Sequence, residues 1–579
     1  MRTSSSLLAL FLLSTTGAVA QTVIPFRSTG DITPSSDFLS LPARHVAPVA
    51  QDTSPKVEQQ TPQNEDAIVI PTLHHINVTV TVGPDAHPIG SETQEYILSG
   101  IFSDFVGKPM SIKQLDILTQ RINAAYRLSN EPFAYAYIPP QTVRDGVLSL
   151  LIRKYTIGQI HVTGNRWFSK NLIQYESGLT SGTIPNFNEV QSDLDWLNRN
   201  PFRSAEIIFS PGAKTGETDA DIYTADRFPI YMFGGASNQN DPSLGRNGWF
   251  WGGSVGNFLG LDQILTYQYT KTTTNRFFNH AVAWHIPISP RDSFLMFGNY
   301  AKAHPFSQKP FSNYGGGSSV SFRWMHMVQH VAFGGAFGLD GTIQLGYDWK
   351  NANSYQKIGP KDVIIGNADT NQFVFLYSGS IQDPYGKTEF TNQMAYGFPG
   401  LTRRNNQPAY QTIAPGSSPN YFYDRLTLGR SFPLTHSLNA NFHITHQQAT
   451  KNLLYSEQVS LGAQGTVRGY YLNTTFGSIS TYFNAELATK TFSLMGLMNP
   501  KAHKDETTLT LFWDYGNNRQ VRQVVAGVHS VTLSSVGLAA TSKINHWLTG
   551  TFDVGWRLRR ARSIGTKGAC VDYNMTVGF

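Results

Sequence analysis

From Phe228 to Phe579 apolar and polar positions alternate with period two, in segments of nine to eleven residues broken by Gly, Asn, Pro and Ser clusters. In 509–516, Leu509, Leu511, Trp513 and Tyr515 share one face, and Thr510, Phe512, Asp514 and Gly516 share the other. In 548–558, Leu548, Phe552, Val554, Trp556 and Leu558 oppose Thr549, Thr551, Asp553 and Arg557. The chain finishes with Val571, Tyr573, Met575, Val577 and Phe579 opposing Asp572, Asn574, Thr576 and Gly578. A soluble sandwich also alternates, but its strands are usually nearer five or six residues. Strands of about ten residues, apolar outward and polar inward, mark a transmembrane β-barrel. The 352 residues from 228 to 579, at about 22 per strand and connection, predict about 16 antiparallel strands, an even number as such barrels require. Closure predicts that the last strand pairs with the first, near 229–238, because an open edge in lipid strands its backbone groups.

Upstream, between 73 and 227, helical and strand periods alternate. The strand-like HINVTVTV (75–82) leads to a helix in which Ser111 and Gln114 form a capping box and Leu115, Leu118, Ile122 and Ala125 share a face. Short strands follow around 133–138 and 147–153. The order then recurs: a strand at 156–163, a helix after Trp167, and a helix opening at Asn186 with Phe187, Val190, Leu194 and Leu197 on one face. Strands near 203–209 and 219–225 complete it. Two βααββ units of about 75–80 residues in tandem, 73–154 and 155–227, predict a pair of small α+β domains; one larger α+β domain is the alternative.

The first residues place the chain in a cell. Arg2, the apolar run Leu7 to Leu13 and Ala18-Val19-Ala20 read as a signal peptide over 1–20. Residues 21–72, with prolines at 25, 34, 42, 48, 55, 62 and 71 in a polar background, read as an extended linker. No later window approaches the ~18–20 uninterrupted apolar residues of a membrane helix, so membrane residence has to be by barrel. Charged residues make up only 15% and aromatics 12%, against about 25% charge in a water-facing domain. Cys570 is the one cysteine, which excludes an intramolecular disulfide framework. The net charge of +6 is scattered rather than clustered and the chain is exported, which argues against nucleic acid.

Candidate chemistry is sparse. GGSVG (252–256) matches a nucleophile elbow around Ser254, but that device needs a helix after the turn and here the strand pattern continues. His74 and His75 face opposite ways on a strand with no third ligand at metal spacing, so no metal or cofactor is expected. The NVT, NTT and NMT sequons read as chance matches, and there is no P-loop. Asp514 falls on the inward face of its strand, and Arg468 in GTVRGYYL (465–472) sits between two glycines on a loop free to fold inward. On the lipid face a midplane arginine would cost ~2–4 kcal/mol. Spacing alone leaves open whether the two meet or stay separately solvated.

VRGY (467–470) followed by FWDYG (512–516) resembles the paired motifs of the outer-membrane two-partner secretion transporters, the haemolysin and haemagglutinin secretion/activation proteins. Three further stretches agree: IPPQTVRDGVLSLLIRKYTIGQIHVTGN (138–165) is similar to the junction of that family's polypeptide-transport-associated (POTRA) domains, NFLGLDQI (257–264) to an early barrel strand, and the terminal Phe579 to its assembly signal. The resemblance implies two periplasmic POTRA domains and a 16-stranded outer-membrane barrel over 228–579. It implies a non-enzymatic pore whose partners are a large secreted exoprotein arriving unfolded, outer-membrane lipid, and the barrel-assembly machinery during biogenesis. Carried onto this chain, Val467, Arg468, Gly469 and Tyr470 form an inward loop motif and Phe512, Asp514 and Gly516 its partner on the wall. Tyr470 and Phe512 would pack beside the arginine. Members often carry a plug helix ahead of the POTRA domains; 21–45 is too broken by proline for its pattern to assign one, and the sequence leaves the plug open. A related outer-membrane insertase, or a diffusion porin, is the alternative.

Overall fold

The computed structural model describes residues 66–579 except 85–86, 89–97, 130, 308–310, 333–337, 359–360, 499–504, 524–529, 546 and 561–567. The expected signal peptide, most of the linker and the 21–45 segment lie outside the described residues. The described chain divides into two units, one ending at Arg227 and one from Phe228 onward, the connection at 329–334 excepted.

In the first unit a four-stranded sheet runs in the order His87–Pro88, His75–Val82, Val147–Lys154, Ala134–Tyr137. Its two central strands are parallel. The helix Ile112–Leu128 starts at the predicted capping box: the Ser111 hydroxyl accepts from the Gln114 N–H, and the Gln114 side chain accepts from the Ser111 N–H at 3.0 Å. It buries Leu118, Ile122 and Tyr126 in a core with Ile76, Leu148 and Ile152. Burial, with Glu131 beside it, pushes the Tyr126 phenol up to about 12. The folded unit begins before residue 73. Ile68–Ile70 pairs with Met110–Ser111, and Ile70 joins the core; three residues are too few to show a period, so the pattern reads them as linker.

The next strands, Thr156–Thr163, Glu217–Asp226 and Arg203–Pro211, form a second sheet in that order. Helices Lys170–Glu176 and Phe187–Leu197 are capped by Ser169 and Asn186. The second helix buries Ser192, Asp193, Trp196 and Leu197, while Phe187 is exposed. The predicted apolar face is therefore rotated. Arg199 lies 3.6 Å over the Trp196 ring, and the Asp193 carboxylate fills the space beside Gly178, so packing chose a mixed stripe over the more apolar one. Arg203 donates to Glu176 at 2.8 Å with both side chains buried.

From Ile230–Ser237 to Ala569–Gly578, sixteen antiparallel strands close into a barrel. The first strand pairs with the last, from Phe233↔Gly578 to Ser237↔Asn574, and the Phe579 backbone exchanges hydrogen bonds with Met232 at 2.9 and 3.1 Å. On the thirteenth strand, Asp505–Arg519, Leu509, Leu511 and Trp513 are exposed outward and Phe512, Asp514 and Gly516 are buried inward, as the alternation predicts. Many strands run longer than the nine-to-eleven-residue reading, among them the thirteenth and fourteenth at 15 residues each, and the sixth to eighth depart furthest: Phe311–Ala332, Gly338–Ile358 and Lys361–Asp383 are 22, 21 and 23 residues long. At ~3.3 Å per residue they reach far past a ~25 Å apolar band, which on the seventh strand the polar stretch Asn351, Asn353 and Ser354 permits. Ser254 lies mid-strand in Gly248–Phe258, buried and bonded to the Thr266 hydroxyl at 2.9 Å, with no helix after it.

Candidate functional site

The eleventh strand (Leu438–Ala449) and the twelfth (Ile479–Thr489) are joined by a loop, 450–478, that folds into the barrel. A short ladder holds its stem, Val459–Leu461 against Thr475–Gly477. The tip then has to reverse within a few residues, and Gly462 (φ +122°), Gly465 (+91°) and Gly469 (+84°) supply backbone that side chains disfavour. The Thr466 hydroxyl and the Gly462 backbone bond each other at 3.0 Å, and the Ala463 N–H donates to the Tyr470 carbonyl at 2.8 Å.

At the tip Arg468 grips Asp514. Its Nε donates to Oδ2 and its Nη2 to Oδ1, each at 2.8 Å, and its own backbone N–H donates to Oδ2 at 2.9 Å. Asn484, the cross-strand neighbour of Asp514, donates to Oδ1 at 2.8 Å and to the Thr466 carbonyl at 2.6 Å. Four donors therefore converge on a fully buried carboxylate, which offsets the cost of taking it out of water. The remaining Arg468 nitrogen, Nη1, lies 2.8 Å from Glu486, and the guanidinium stacks 3.6 Å over the Phe512 ring. A planar, permanently charged fork suits this site; lysine could not stack and bind bidentately at once.

The other motif residues seat the tip. Val467 is buried with Val459, Leu461, Tyr470 and Leu533, and a Cβ at Gly516 would come within 2.8 Å of Leu461 and Val467 methyls. Gly469 rests against Gly555 of the fifteenth strand, Leu548–Arg557, where a Cβ on Gly555 would lie 2.6 Å from the Gly469 backbone. The Gly469 carbonyl accepts from Arg557 Nε at 2.6 Å. The Tyr470 hydroxyl lies 3.0 Å from the Ser534 carbonyl and 2.7 Å from that of Arg559. Farther along, Arg246 pairs with Asp572 at 2.7 Å and lies over Tyr471. Burial lifts the Asp241 carboxyl, on the connection after the first strand, above its ordinary range, against hydrogen bonds from Ser243 and Asn473 of the inward loop.

The structure thus brings Val467, Arg468, Gly469, Tyr470, Phe512, Asp514 and Gly516 into one site and leaves Phe579 at the strand seam. Asn484, Glu486, Gly555 and Arg557 belong to it as well and were missed. An inward charge such as Glu486 within NAELAT was a readable signal; the two glycines' contact was not, because it joins positions 86 residues apart in the chain (555 − 469). Among the described residues no cluster has metal-binding composition.

A closed antiparallel barrel with an inward loop clasped to its wall, preceded by small α+β units, defines an outer-membrane β-barrel transporter of the POTRA-bearing class. The model of the haemolysin secretion/activation protein family ShlB/FhaC/HecB matches residues 216–540, more than half of the chain, and that of the ShlB-type POTRA domain matches 91–154. The chain belongs to this haemolysin secretion/activation family, whose members are two-partner secretion transporters of the outer membrane. It is 24% identical over 464 residues to the heme/hemopexin transporter protein HuxB of Haemophilus influenzae, covering 76% of each chain. It is 20% identical over 509 residues to the outer membrane transporter CdiB of Dickeya dadantii (strain 3937), covering 85% of this chain and 84% of that one. The fold matches CdiB from Escherichia coli with a TM-score of 0.73 at 15% identity over 92% of this chain and 93% of that one, and CdiB from Acinetobacter baumannii at 0.63.

Proposed function

We propose that this transporter captures a large, unfolded exoprotein in the periplasm through two POTRA domains and passes it through the barrel to the cell surface without nucleotide hydrolysis. In this reading residues 155–227 are the second POTRA domain. The Arg468–Asp514 clasp holds the inward loop in its working position, Phe579 marks the chain for the barrel-assembly machinery, and the outward apolar face meets outer-membrane lipid.

The observation that carries the reading is the clasp: a diffusion pore needs no loop bonded through buried charge to its own wall. Capture has a candidate surface in 160–163, the part of the second sheet's edge strand beyond Ile157, whose backbone already bonds Gly182 and Thr183. Gly158, Gln159, Ile160 and His161 line a groove of about 460 Å³ there with Gln174, Leu179, Thr180 and Ser181. An extended segment adding to this edge makes main-chain bonds that tolerate varied sequence. Ordering an unfolded segment offsets part of the gross interaction, so capture stays weak enough for release. Direction then comes from the exoprotein folding outside, where it cannot slide back.

The test is deletion of residues 66–227, which removes both α+β units and with them the Thr156–Thr163 edge, with barrel assembly checked by heat-modifiable migration. The expected result is loss of secretion of the partner exoprotein. Normal secretion by an assembled barrel would remove the capture role and favour a diffusion pore or an insertase.

A further inference from the structure

The inward loop carries a second buried charge, Glu457, eleven residues before Arg468 and absent from the motif. It is 1% exposed. Its Oε1 accepts from Lys350 Nζ at 2.8 Å, and its Oε2 accepts from Gln372 Nε2 at 3.1 Å and from the Tyr423 hydroxyl at 3.2 Å. Its carbonyl accepts from Gln447 Nε2 at 3.1 Å. These donors stand on the seventh, eighth, tenth (Tyr421–Pro433) and eleventh strands. The partners of Arg468 stand on the twelfth and thirteenth, and those of Gly469 and Tyr470 on the fourteenth (Ser530–Ile544) and fifteenth. The loop is therefore held by opposite charges to two different arcs of the wall, and its 457–468 segment runs between them.

The Glu457 end also gathers a second connection. The stretch 398–420 between the ninth and tenth strands carries the helix Gln407–Ile413, whose Tyr410 and Ile413 pack with Tyr421, Tyr423, Leu453 and Leu454. The Tyr410 hydroxyl donates to Thr370 at 3.1 Å, and burial pushes that phenol well up. The Ser418 N–H donates to the Asn452 carbonyl at 3.3 Å. Behind Glu457 the polar belt continues: Gln372 donates to Asp348 at 2.8 Å and accepts from Tyr421 at 2.7 Å, and Asp348 pairs with Arg323 at 2.7 Å. Such a network fixes one arrangement when every member is satisfied, and breaking one partner leaves the other's charge buried and uncompensated.

We propose that Glu457 and Lys350 form a second anchor, which draws the inward loop and the 398–420 connection together across the lumen and keeps the resting pore shut to ions. Release at this anchor opens the pore while the Arg468–Asp514 clasp holds. Both are positioning residues. The inference rests on the reading of the barrel as an export pore, but its assay is ion flow with no exoprotein present, so its failure leaves that reading standing.

The experiment measures conductance of the purified full chain in planar bilayers in potassium chloride, with Glu457→Lys, Lys350→Glu and the double exchange, each checked for heat-modifiable migration. Each single reversal sets like charges together, and the open population is expected to rise about tenfold. The double exchange restores an ion pair and is expected to return it near the native value. Native conductance in both singles overturns the proposal, as does a double exchange as leaky as the singles. If a reversal fails to assemble, Glu457→Gln, which keeps the shape and removes the charge, is read in the same way: leakage supports the anchor and native conductance overturns it.

Discussion

Arg468 lies with its guanidinium 3.6 Å above the ring of Phe512, so the residue that holds the loop tip to the wall is stacked on the same strand whose Asp514 it binds. Stacking and ion pairing fix the plane and the in-plane direction of the fork together. Each alone would leave one rotation free.

Arg468→Ala and Asp514→Ala should impair export alike, because removing one member of a buried pair typically costs ~3–5 kcal/mol through the charge left behind. The double variant should be little worse than either. Secretion measured across this cycle, with barrel assembly verified, decides it; additive losses would show that the two residues act separately.

Gly555→Ala should weaken docking of the loop without preventing strand formation. Alanine suits an extended strand, but its methyl would meet the Gly469 backbone at 2.6 Å. Limited proteolysis of the assembled protein should show faster cleavage within 450–478. Unchanged protection would mean the strand absorbs the methyl by shifting.

Tyr470→Phe should loosen the same tip by ~1–3 kcal/mol, the usual cost of leaving buried polar groups unsatisfied. The hydroxyl is close to both carbonyl and N–H of Ser534 and of Arg559. Urea titration should move the midpoint down; an unmoved midpoint would place water in the hydroxyl's role.

Cysteines at Ala236 and Met575, in a Cys570→Ser background, should cross-link on oxidation. These residues are register partners across the seam between first and last strands, and directly opposed Cα atoms at ~4.5–5.5 Å fall within disulfide reach. Absence of a cross-link, with the barrel intact by heat-modifiable migration, would contradict closure at this register.

Glu176→Ala should destabilise the second α+β unit, since it removes the 2.8 Å ion pair of Arg203, whose side chain is fully buried. Protease sensitivity should rise within 155–227 while the barrel still migrates as folded.

What the chain alone determined follows from periodicity and from short local chemistry. Alternation at Leu509 to Gly516 assigned each residue to lipid or lumen because the strand period is two and lipid rejects polar groups, so Asp514 had a single side to face. The Ser111–Gln114 box and the Asn186 cap were legible because a helix's first N–H groups need partners within three residues. Other features were settled only by the tertiary structure. The 187–197 helix buried Asp193 and Trp196 rather than Phe187 because the neighbouring helix end and Arg199 offered partners there. Arg468 met Asp514 because the loop folded inward, a contact across 46 residues that no local pattern encodes. Glu457 found Lys350 across 107 residues. Long-range pairing depends on which side chains closure of the barrel brings into one lumen, and a sequence read strand by strand carries the facing of each residue but not the neighbour it will meet.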